Sequence, residues 1–145
     1  MKKMLLVVLM FTIVLANVPV AAYYETLNIE INGELVDIPA EYGAVIIVDN
    51  RTMVPVRFVS EFLNFEVDWI ADIQTVIFGN YAHLIMFQIG SPLLFSLLDD
   101  TQVEMDVPAM LHDNRSYIPI RFFAENAGFT VDWDEDGRTV SLVRN

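Results

Sequence analysis

The sequence has no cysteine and very little positive charge. Without cysteine the protein forms no disulfide, and attachment to a membrane through a lipidated cysteine is excluded. Lysine occurs only at Lys2 and Lys3, so removal of these two residues changes the formal net charge from −12 to −14. A chain this acidic lacks the basic surface that phosphate binding needs. We therefore expect no nucleic-acid partner, and an anionic membrane surface is disfavoured.

Long apolar runs are also scarce, and the clearest one lies near the N-terminus. The run over residues 4–16 follows a basic start and is too short to span a bilayer. Residues 20–22, Val-Ala-Ala, fit the small-residue rule for signal cleavage. The sequence predicts a secretory signal peptide at residues 1–22 and a secreted, extracellular protein of residues 23–145, with association at the cell surface left open. A retained membrane anchor is disfavoured, and we expect no stable membrane insertion after cleavage.

One segment of the chain occurs twice. Residues 49–78 recur 64 positions later as residues 113–142, without a gap and with 14 of 30 positions identical. We predict a tandem repeat with units over about 27–80 and 81–145. We assign a structural role to the following residues of its signature: Asn50, Arg51, Pro55, Arg57, Glu61, Asp68 and Trp69 in the first segment, and Asn114, Arg115, Pro119, Arg121, Glu125, Gly128, Asp132 and Trp133 in the second.

Both segments predict a strand followed by a short helix. Pro55 and Pro119 hold the preceding residue in an extended conformation and are themselves tolerated in a first helical turn. Apolar residues then recur with helical spacing, which gives each helix one buried face. We therefore expect helices over about 55–63 and 119–127.

The helices should stop at the same aligned position in both segments. Asn64 and Gly128 stand there, and Asn and Gly are the residue types that most readily adopt the left-handed conformation past a helix end. Alternating residues follow, which predicts a half-buried strand with Trp69 and Trp133 turned inward and largely buried. The predicted fold class is α+β, with two repeated units, each a short helix packed on antiparallel strands and hairpins.

Turn signals outside these segments predict further strands. Asn32 and Gly33 separate two alternating runs and strongly indicate a hairpin. A weaker hairpin is expected around a turn at 99–101. Residues 81–89 are strongly apolar without clean alternation, which predicts a strand buried on both faces.

The two aligned segments resemble a known family. Residues 49–57 read Asp-Asn-Arg-Thr-Met-Val-Pro-Val-Arg and residues 113–121 read Asp-Asn-Arg-Ser-Tyr-Ile-Pro-Ile-Arg; a Glu follows four residues later in each, and then Val-Asp-Trp. This pattern resembles the copper amine oxidase N-terminal domain, or stalk domain, over essentially all of residues 23–145. The first segment departs from the family at Asn64, Ile70 and Gln74, and both have Asp-Asn where Asn-Gly is usual.

The resemblance implies a non-catalytic domain. In the amine oxidases this domain is an appendage, a sheet wrapped on a helix, which carries neither the copper nor the quinone cofactor. The residues agree, because a copper site needs converging imidazoles and this chain has only His83 and His112, each isolated in the sequence. We therefore expect no enzyme activity, no catalytic residue, no cofactor and no metal site.

An acidic run in the second segment carries an alternative. Asp132, Asp134, Asp136 and Gly137 fit the first half of a calcium loop, but the position of the bidentate ligand is occupied by Val143. A tight acidic hairpin turn with Gly137 at its tip is the favoured interpretation.

Charged residues on the predicted helices suggest ion pairs. Arg57 precedes Glu61 by four positions, as Arg121 precedes Glu125, and these pairs could extend to Asp68 and Asp132 on the following strands. A catalytic acid–base pair of Glu61 and Asp68 is disfavoured, because catalysis usually needs one asymmetric site and both segments carry these residues.

The favoured function is a secreted, non-catalytic stalk-like module that acts at the cell surface through protein–protein contacts. We expect another exported protein or a second copy of the chain as the partner, bound at sheet edges or at the apolar segment 81–98. A small secreted hydrolase that uses the repeated carboxylates, or a calcium-dependent cell-wall-binding protein, is the alternative.

Overall fold

A computed structural model describes residues 27–145 as three antiparallel-rich sheets and two short helices. The predicted signal peptide lies outside the described residues. In chain order the elements are β1 (Asn28–Ile31), β2 (Glu34–Val36), β3 (Ile46–Val48), β4 (Arg51–Pro55), α1 (Val56–Phe62), β5 (Glu66–Ile70), β6 (Thr75–Gly79), β7 (Leu84–Gln88), β8 (Leu93–Ser96), β9 (Thr101–Glu104), β10 (Met110–His112), β11 (Arg115–Pro119), α2 (Ile120–Asn126), β12 (Phe129–Asp134) and β13 (Thr139–Arg144). The predicted α+β class is confirmed.

The strands form three sheets, two of which combine early and late parts of the chain. The central sheet has the order β10-β11-β4-β3, and the two outer sheets have the orders β5-β6-β7-β8-β9 and β12-β13-β1-β2. Every pair is antiparallel except β1 with β13, which runs parallel and sets Ile29 beside Val140. The first hairpin of the chain thus completes the sheet of its last two strands, so residues 27–80 and 81–145 are not separate packing bodies.

The pair of β4 and β11 lies at the centre of the central sheet. Val54 stands opposite Ile118, with Met53 opposite Pro119 and Pro55 opposite Tyr117. Val54 and Ile118 are 64 positions apart, the same offset that aligns the two sequence segments. In this strand pair, aligned positions of the two segments are therefore related by a two-fold rotation about the midpoint between Val54 and Ile118.

Each of these central strands runs directly into a helix. Pro55 and Pro119 end their strands in an extended conformation and cap α1 and α2, which have seven residues each. The predicted helices over 55–63 and 119–127 are confirmed to within two residues at either end. Within residues 27–145, neither helix nor any other is long and apolar enough to cross a membrane.

The helices stop where the sequence predicts. Asn64 and Gly128 both have left-handed backbones, with φ of 58° and 84°. The Asn64 amide donates to the Glu61 carbonyl at 3.1 Å and the Phe65 amide to the Ser60 carbonyl at 2.7 Å, which together satisfy two carbonyls of the last turn. Since Phe65 is buried after this reversal, the stop also directs the chain back onto the helix.

The main hydrophobic core combines residues of both helices and all three sheets, and a smaller cluster of Ile46, Met53, Val107 and Tyr117 is separate from it. The rings of Phe78 on β6 and Phe123 on α2 stack with centroids 4.4 Å apart, and Phe87 on β7 meets Phe78 edge-on at 5.9 Å. All three side chains are fully buried. Because Phe78 and Phe123 come from different segments, the two segments share this core and cannot be separated without exposing it.

The prediction that both tryptophans are largely buried is wrong. Trp69 is 44 % exposed and Trp133 is 41 % exposed. The alternation does indicate the inward face, since Val67 and Val131 on the same faces as the tryptophans are half-buried. However, β5 and β12 are edge strands of their sheets, so each has a neighbouring strand on one side only. The inward-facing side chains of Trp69 and Trp133 are therefore only partly covered.

The predicted apolar strand at 81–89 is shorter and covered on one face. Asn80 accepts hydrogen bonds from the amides of Ala82 and His83, which makes a turn and leaves Tyr81 97 % exposed. The strand therefore begins at Leu84. Ile85 and Phe87 are fully buried while their neighbours are half-buried or exposed, so burial on both faces is wrong.

Both predicted hairpins are present. Asn32 and Gly33 have φ of 51° and 87° and join β1 to β2, as a tight two-residue turn requires. The second turn is displaced from the expected 99–101 to residues 97–100, because Ser96 pairs with Thr101. Asp100, with φ of 54°, supplies the left-handed residue that this turn needs.

Ser60 on α1 yields a stability prediction. Its hydroxyl is fully buried and has no hydrogen-bond partner among the described residues, and the aligned position on α2 is Ala124. Because the lone hydroxyl is desolvated and Ala is the better helix former, Ser60→Ala should raise the free energy of unfolding by up to about 1 kcal/mol. The reciprocal change Ala124→Ser should lower it by about 1–3 kcal/mol. Urea unfolding measures both, and destabilisation by Ser60→Ala would contradict the prediction.

Candidate functional site

Two grooves flank the central sheet, and each contains one of the half-exposed tryptophans. The Trp69 groove has a volume of about 320 Å³ and lies between β5, β6 and the turn that joins β10 to β11. Its lining includes Arg57, Val67, Trp69 and Val76 from the first segment, with Leu111, Asn114, Arg115 and Ser116 from the other half of the chain. Concave sites that mix apolar side chains with a few polar groups are the usual places for ligand binding.

The Trp133 groove is its counterpart on the other side of the sheet. It has a volume of about 700 Å³ and lies between β12, β13 and the turn that joins β3 to β4. Its lining includes Arg121, Val131, Trp133 and Val140, with Ile47, Asn50, Arg51 and Thr52. Each of these residues is 64 positions from a residue of the Trp69 groove.

The two grooves arise from the pairing of β4 with β11. That pairing sets the hairpin turn before each strand beside the tryptophan strand of the other segment. The signature residues of one segment are therefore divided between the two grooves. Asn50 and Arg51 line the Trp133 groove, while Arg57 and Trp69 line the Trp69 groove. The sequence repeat identifies these residue types but not the fact that they meet across segments.

The hairpin turns owe their shape to the Asp-Asn pairs. Asp49 and Asn50 have φ of 47° and 60°, and Asp113 and Asn114 have φ of 46° and 60°. Two successive left-handed residues make the tight turn that matches the twist of a hairpin. Asp-Asn thus takes the place of the Asn-Gly that is usual in the family at the same turn.

Arg51 and Arg115 tie these turns to distant parts of the chain. Arg51 pairs with the carboxylate of Asp106, and its hydrogen bond holds the pKa of Asp106 below the usual aspartate value. Arg115 donates from Nε and Nη2 to the carbonyl oxygen of Glu41 at 3.2 and 3.1 Å. Arg51 and Asp106 both line the Trp133 groove, and Arg115 and Glu41 both line the Trp69 groove, so each guanidinium group holds one wall of a groove in place.

Arg57 and Arg121 line the grooves but do not form the predicted ion pairs. Within residues 27–145 no ion pair joins Arg57 to Glu61, Arg121 to Glu125, or either arginine to Asp68 or Asp132, so the predicted helix ion pairs are wrong. Glu61 instead accepts a hydrogen bond of 2.5 Å from the Tyr42 hydroxyl, which raises the pKa of Tyr42. Both arginines are exposed on their helices, so their guanidinium groups are open to a ligand.

Two carboxylates of the acidic run, Asp132 and Asp134, serve local structure. Asp132 accepts a hydrogen bond of 2.9 Å from the amide of Trp133 beside it. Asp134 accepts from the amides of Asp136 and Gly137, both at 3.2 Å, so its carboxylate organises the acidic turn. Among residues 27–145 no group of three or more His, Asp or Glu side chains is placed to hold a metal ion.

The acidic run forms a tight turn at residues 135–138, which includes Gly137 as expected. Arg138 has the left-handed backbone, with φ of 47°, whereas Gly137 does not. The aligned residue Gln74 has the same φ of 47°. Neither Gln nor Arg signals this conformation in a sequence, because both side chains are rare at positive φ.

The two histidines lie in unrelated surroundings. His83 packs beside Phe65, with ring centroids 6.3 Å apart, and against the helix stop at Gly128. His112 meets the ring of Tyr117 edge-on at 5.6 Å, and its Nε2 lies 3.5 Å from the carboxylate of Asp113. These contacts give each histidine a packing role.

Comparison with known proteins identifies the family of the chain. The family profile described as the copper amine oxidase N-terminal domain matches residues 30–142. The chain belongs to this family. In copper amine oxidases the domain is non-catalytic, which suggests a non-catalytic stalk module. A search of curated proteins finds no match to the chain.

The geometry of the acidic turn predicts its response to calcium. Because both oxygens of Asp134 already accept turn amides, millimolar calcium should leave the melting temperature unchanged relative to an equal concentration of magnesium. Asp134→Ala should lower the melting temperature equally with and without calcium. Differential scanning calorimetry checks both, and a calcium-specific rise that Asp134→Ala abolishes would contradict the prediction.

Proposed function

We propose that the protein is a secreted, non-catalytic module of the stalk type that acts at the cell surface through protein–protein contacts. The observation that carries this proposal is the family match over residues 30–142, because the matched domain is an appendage and not a catalytic unit. The predicted signal peptide at residues 1–22 supports secretion. The exposed tryptophans support contact with a protein, since Trp and Arg together are enriched at the centres of interfaces.

We infer further that the domain consists of two copies of one unit. Identity at 14 of 30 aligned positions, helices of seven residues at the same offset, and Val54 facing Ile118 support this inference. The copies exchange strands, since β1 pairs with β13. One consequence is that each groove is built from both copies, so neither copy alone carries a complete site.

The arrangement of the carboxylates supports a binding function over hydrolysis. A hydrolase of the kind considered above would use Glu61 and Asp68 as an acid–base pair. Glu61, however, accepts the Tyr42 hydroxyl at 2.5 Å, and Asp68 lies exposed on an edge strand. Neither Glu61 nor Asp68 lines the Trp69 groove or the Trp133 groove.

Fractionation of the producing cells tests secretion. The processed chain, starting at Tyr23, is expected outside the cytoplasm when protein mass is determined for each fraction. Lys2→Glu combined with Lys3→Glu should retain the unprocessed chain inside, because export needs the basic start of the signal peptide. Arg144→Glu is the matched control and should be exported like the parent. An unprocessed parent chain in the cytoplasm, or hydrolysis of a wall polymer by the purified protein, would contradict the proposal.

A further inference from the structure

We propose that copies of this chain join head to tail, with the turn at residues 97–100 of one copy seated in the Trp69 groove of the next. The inference rests on the proposed function, because it names the partner in the protein–protein contact. The turn joins β8 to β9 and is called here the Leu98 turn. The groove and the turn are complementary in charge and in apolar surface, and they lie where they cannot meet within one copy.

The Trp69 groove favours an acidic occupant. Arg57 and Arg115 contribute two guanidinium groups to its lining, and Glu41 contributes the single carboxylate. Beyond residue 22 the chain holds six arginines, no lysine and 20 acidic residues, so this groove has an excess of positive charge on a strongly negative protein. Trp69 and Val67 provide an apolar surface beside Arg57.

The Trp133 groove lacks this excess. Arg51, Arg121 and Arg138 line it together with Asp106, Asp132 and Glu135, so positive and negative groups are equal in number. Arg51 is also paired with Asp106. The two grooves are similar in their aromatic and aliphatic residues, and charge distinguishes them. The Trp133 groove is therefore the internal control for the proposal.

The Leu98 turn has the matching properties. Leu97 and Leu98 are 43 % and 55 % exposed, and the exposed carboxylates of Asp99 and Asp100 follow them directly. Asp99 accepts a hydrogen bond of 2.9 Å from the Thr101 hydroxyl, which fixes the turn. The turn thus presents two leucine side chains and a free carboxylate at Asp100, which complement Trp69 and Arg57.

Topology makes the contact intermolecular. The Trp69 groove borders β5, and the Leu98 turn joins β8 to β9, at opposite sides of the same five-stranded sheet. Val76 of the groove lies beside Phe87 of β7, and Phe87 beside Leu94 of β8, two strand spacings or about 10 Å away; the turn begins three residues, about 10 Å, further along β8, and hydrogen bonds fix the sheet between them. A groove-to-turn contact therefore uses different surfaces on the two copies, and each added copy leaves one free groove and one free turn. Such a contact produces rings or open chains of copies, depending on whether its rotation closes.

The mass of the protein in solution tests the contact. The processed protein is isolated from the cells that produce it and studied by sedimentation equilibrium. The salt concentration is about 0.15 M, at which interactions between charges more than about 8 Å apart are screened. The parent should show a mass that rises with concentration and passes beyond that of a dimer. Arg57→Glu and Leu98→Ser should each weaken association about tenfold or more, through a like-charge contact and through lost apolar burial. Asp100→Asn, which tolerates the left-handed backbone, should weaken it about two- to fivefold.

Matched substitutions elsewhere separate this contact from general effects. Arg121→Glu makes the same charge change in the Trp133 groove, and Leu35→Ser removes a leucine that is 70 % exposed on a different sheet. Both should associate like the parent. Circular dichroism melting of every variant identifies any that has lost its fold. If Arg57→Glu or Leu98→Ser does not fold, Asp100→Asn tests the contact instead, because it replaces an exposed side chain with one of similar shape.

A mixing experiment decides whether the contact is head to tail. Arg57→Glu has an intact turn and an altered groove, whereas Leu98→Ser has an intact groove and an altered turn. Each should therefore be monomeric alone at concentrations where the parent associates. Their mixture has one intact turn and one intact groove, so association should stop at a dimer. A parent that stays monomeric at millimolar concentration, a mixture that stays monomeric, or association lost in Arg121→Glu and retained in Arg57→Glu would each overturn the inference. A processed, exported protein that is monomeric would overturn this inference alone, whereas a cytoplasmic, unprocessed protein would contradict the proposed function.

Discussion

The antiparallel pairing of β4 with β11 is the interaction on which the rest of the structure depends. It joins the two sequence segments at the centre of the middle sheet, where Val54, Ile118 and the flanking Met53 are fully buried. Both strands run straight into a helix at a proline, so the register of this one pair fixes where α1 and α2 begin. The stacked rings of Phe78 and Phe123 then depend on the helices being placed in this way.

The same pairing determines what the surface can do. It carries each Asp-Asn-Arg turn to the tryptophan strand of the other segment and so creates two grooves from one repeated set of residues. Five of the six arginines in residues 27–145 line these grooves. On a chain with so many carboxylates, cationic side chains mark the places where an acidic surface can approach without repulsion.

Local patterns in the sequence predict local structure well, and tertiary placement less well. The prolines and the Asn64 and Gly128 stops predict both helices, because each acts through its own backbone preferences. The exposure of Trp69 and Trp133 could not be predicted, since alternation indicates which face of a strand is inward but not how far the neighbouring layer extends. The parallel pairing of β1 with β13 and the assembly of each groove from both segments depend on contacts between positions far apart in the sequence, such as Trp69 and Arg115, for which a single sequence carries no signal.

Native-state hydrogen exchange tests the central role of the β4–β11 pair most directly. The account predicts that amides in β4 and β11 are among the slowest to exchange, and that the protected amides of residues 49–78 and 113–142 share one free energy of opening, equal to that of global unfolding. Each segment would then be stable only while paired with the other. Protection that persists in one segment under denaturant concentrations at which the other has lost it would contradict the account.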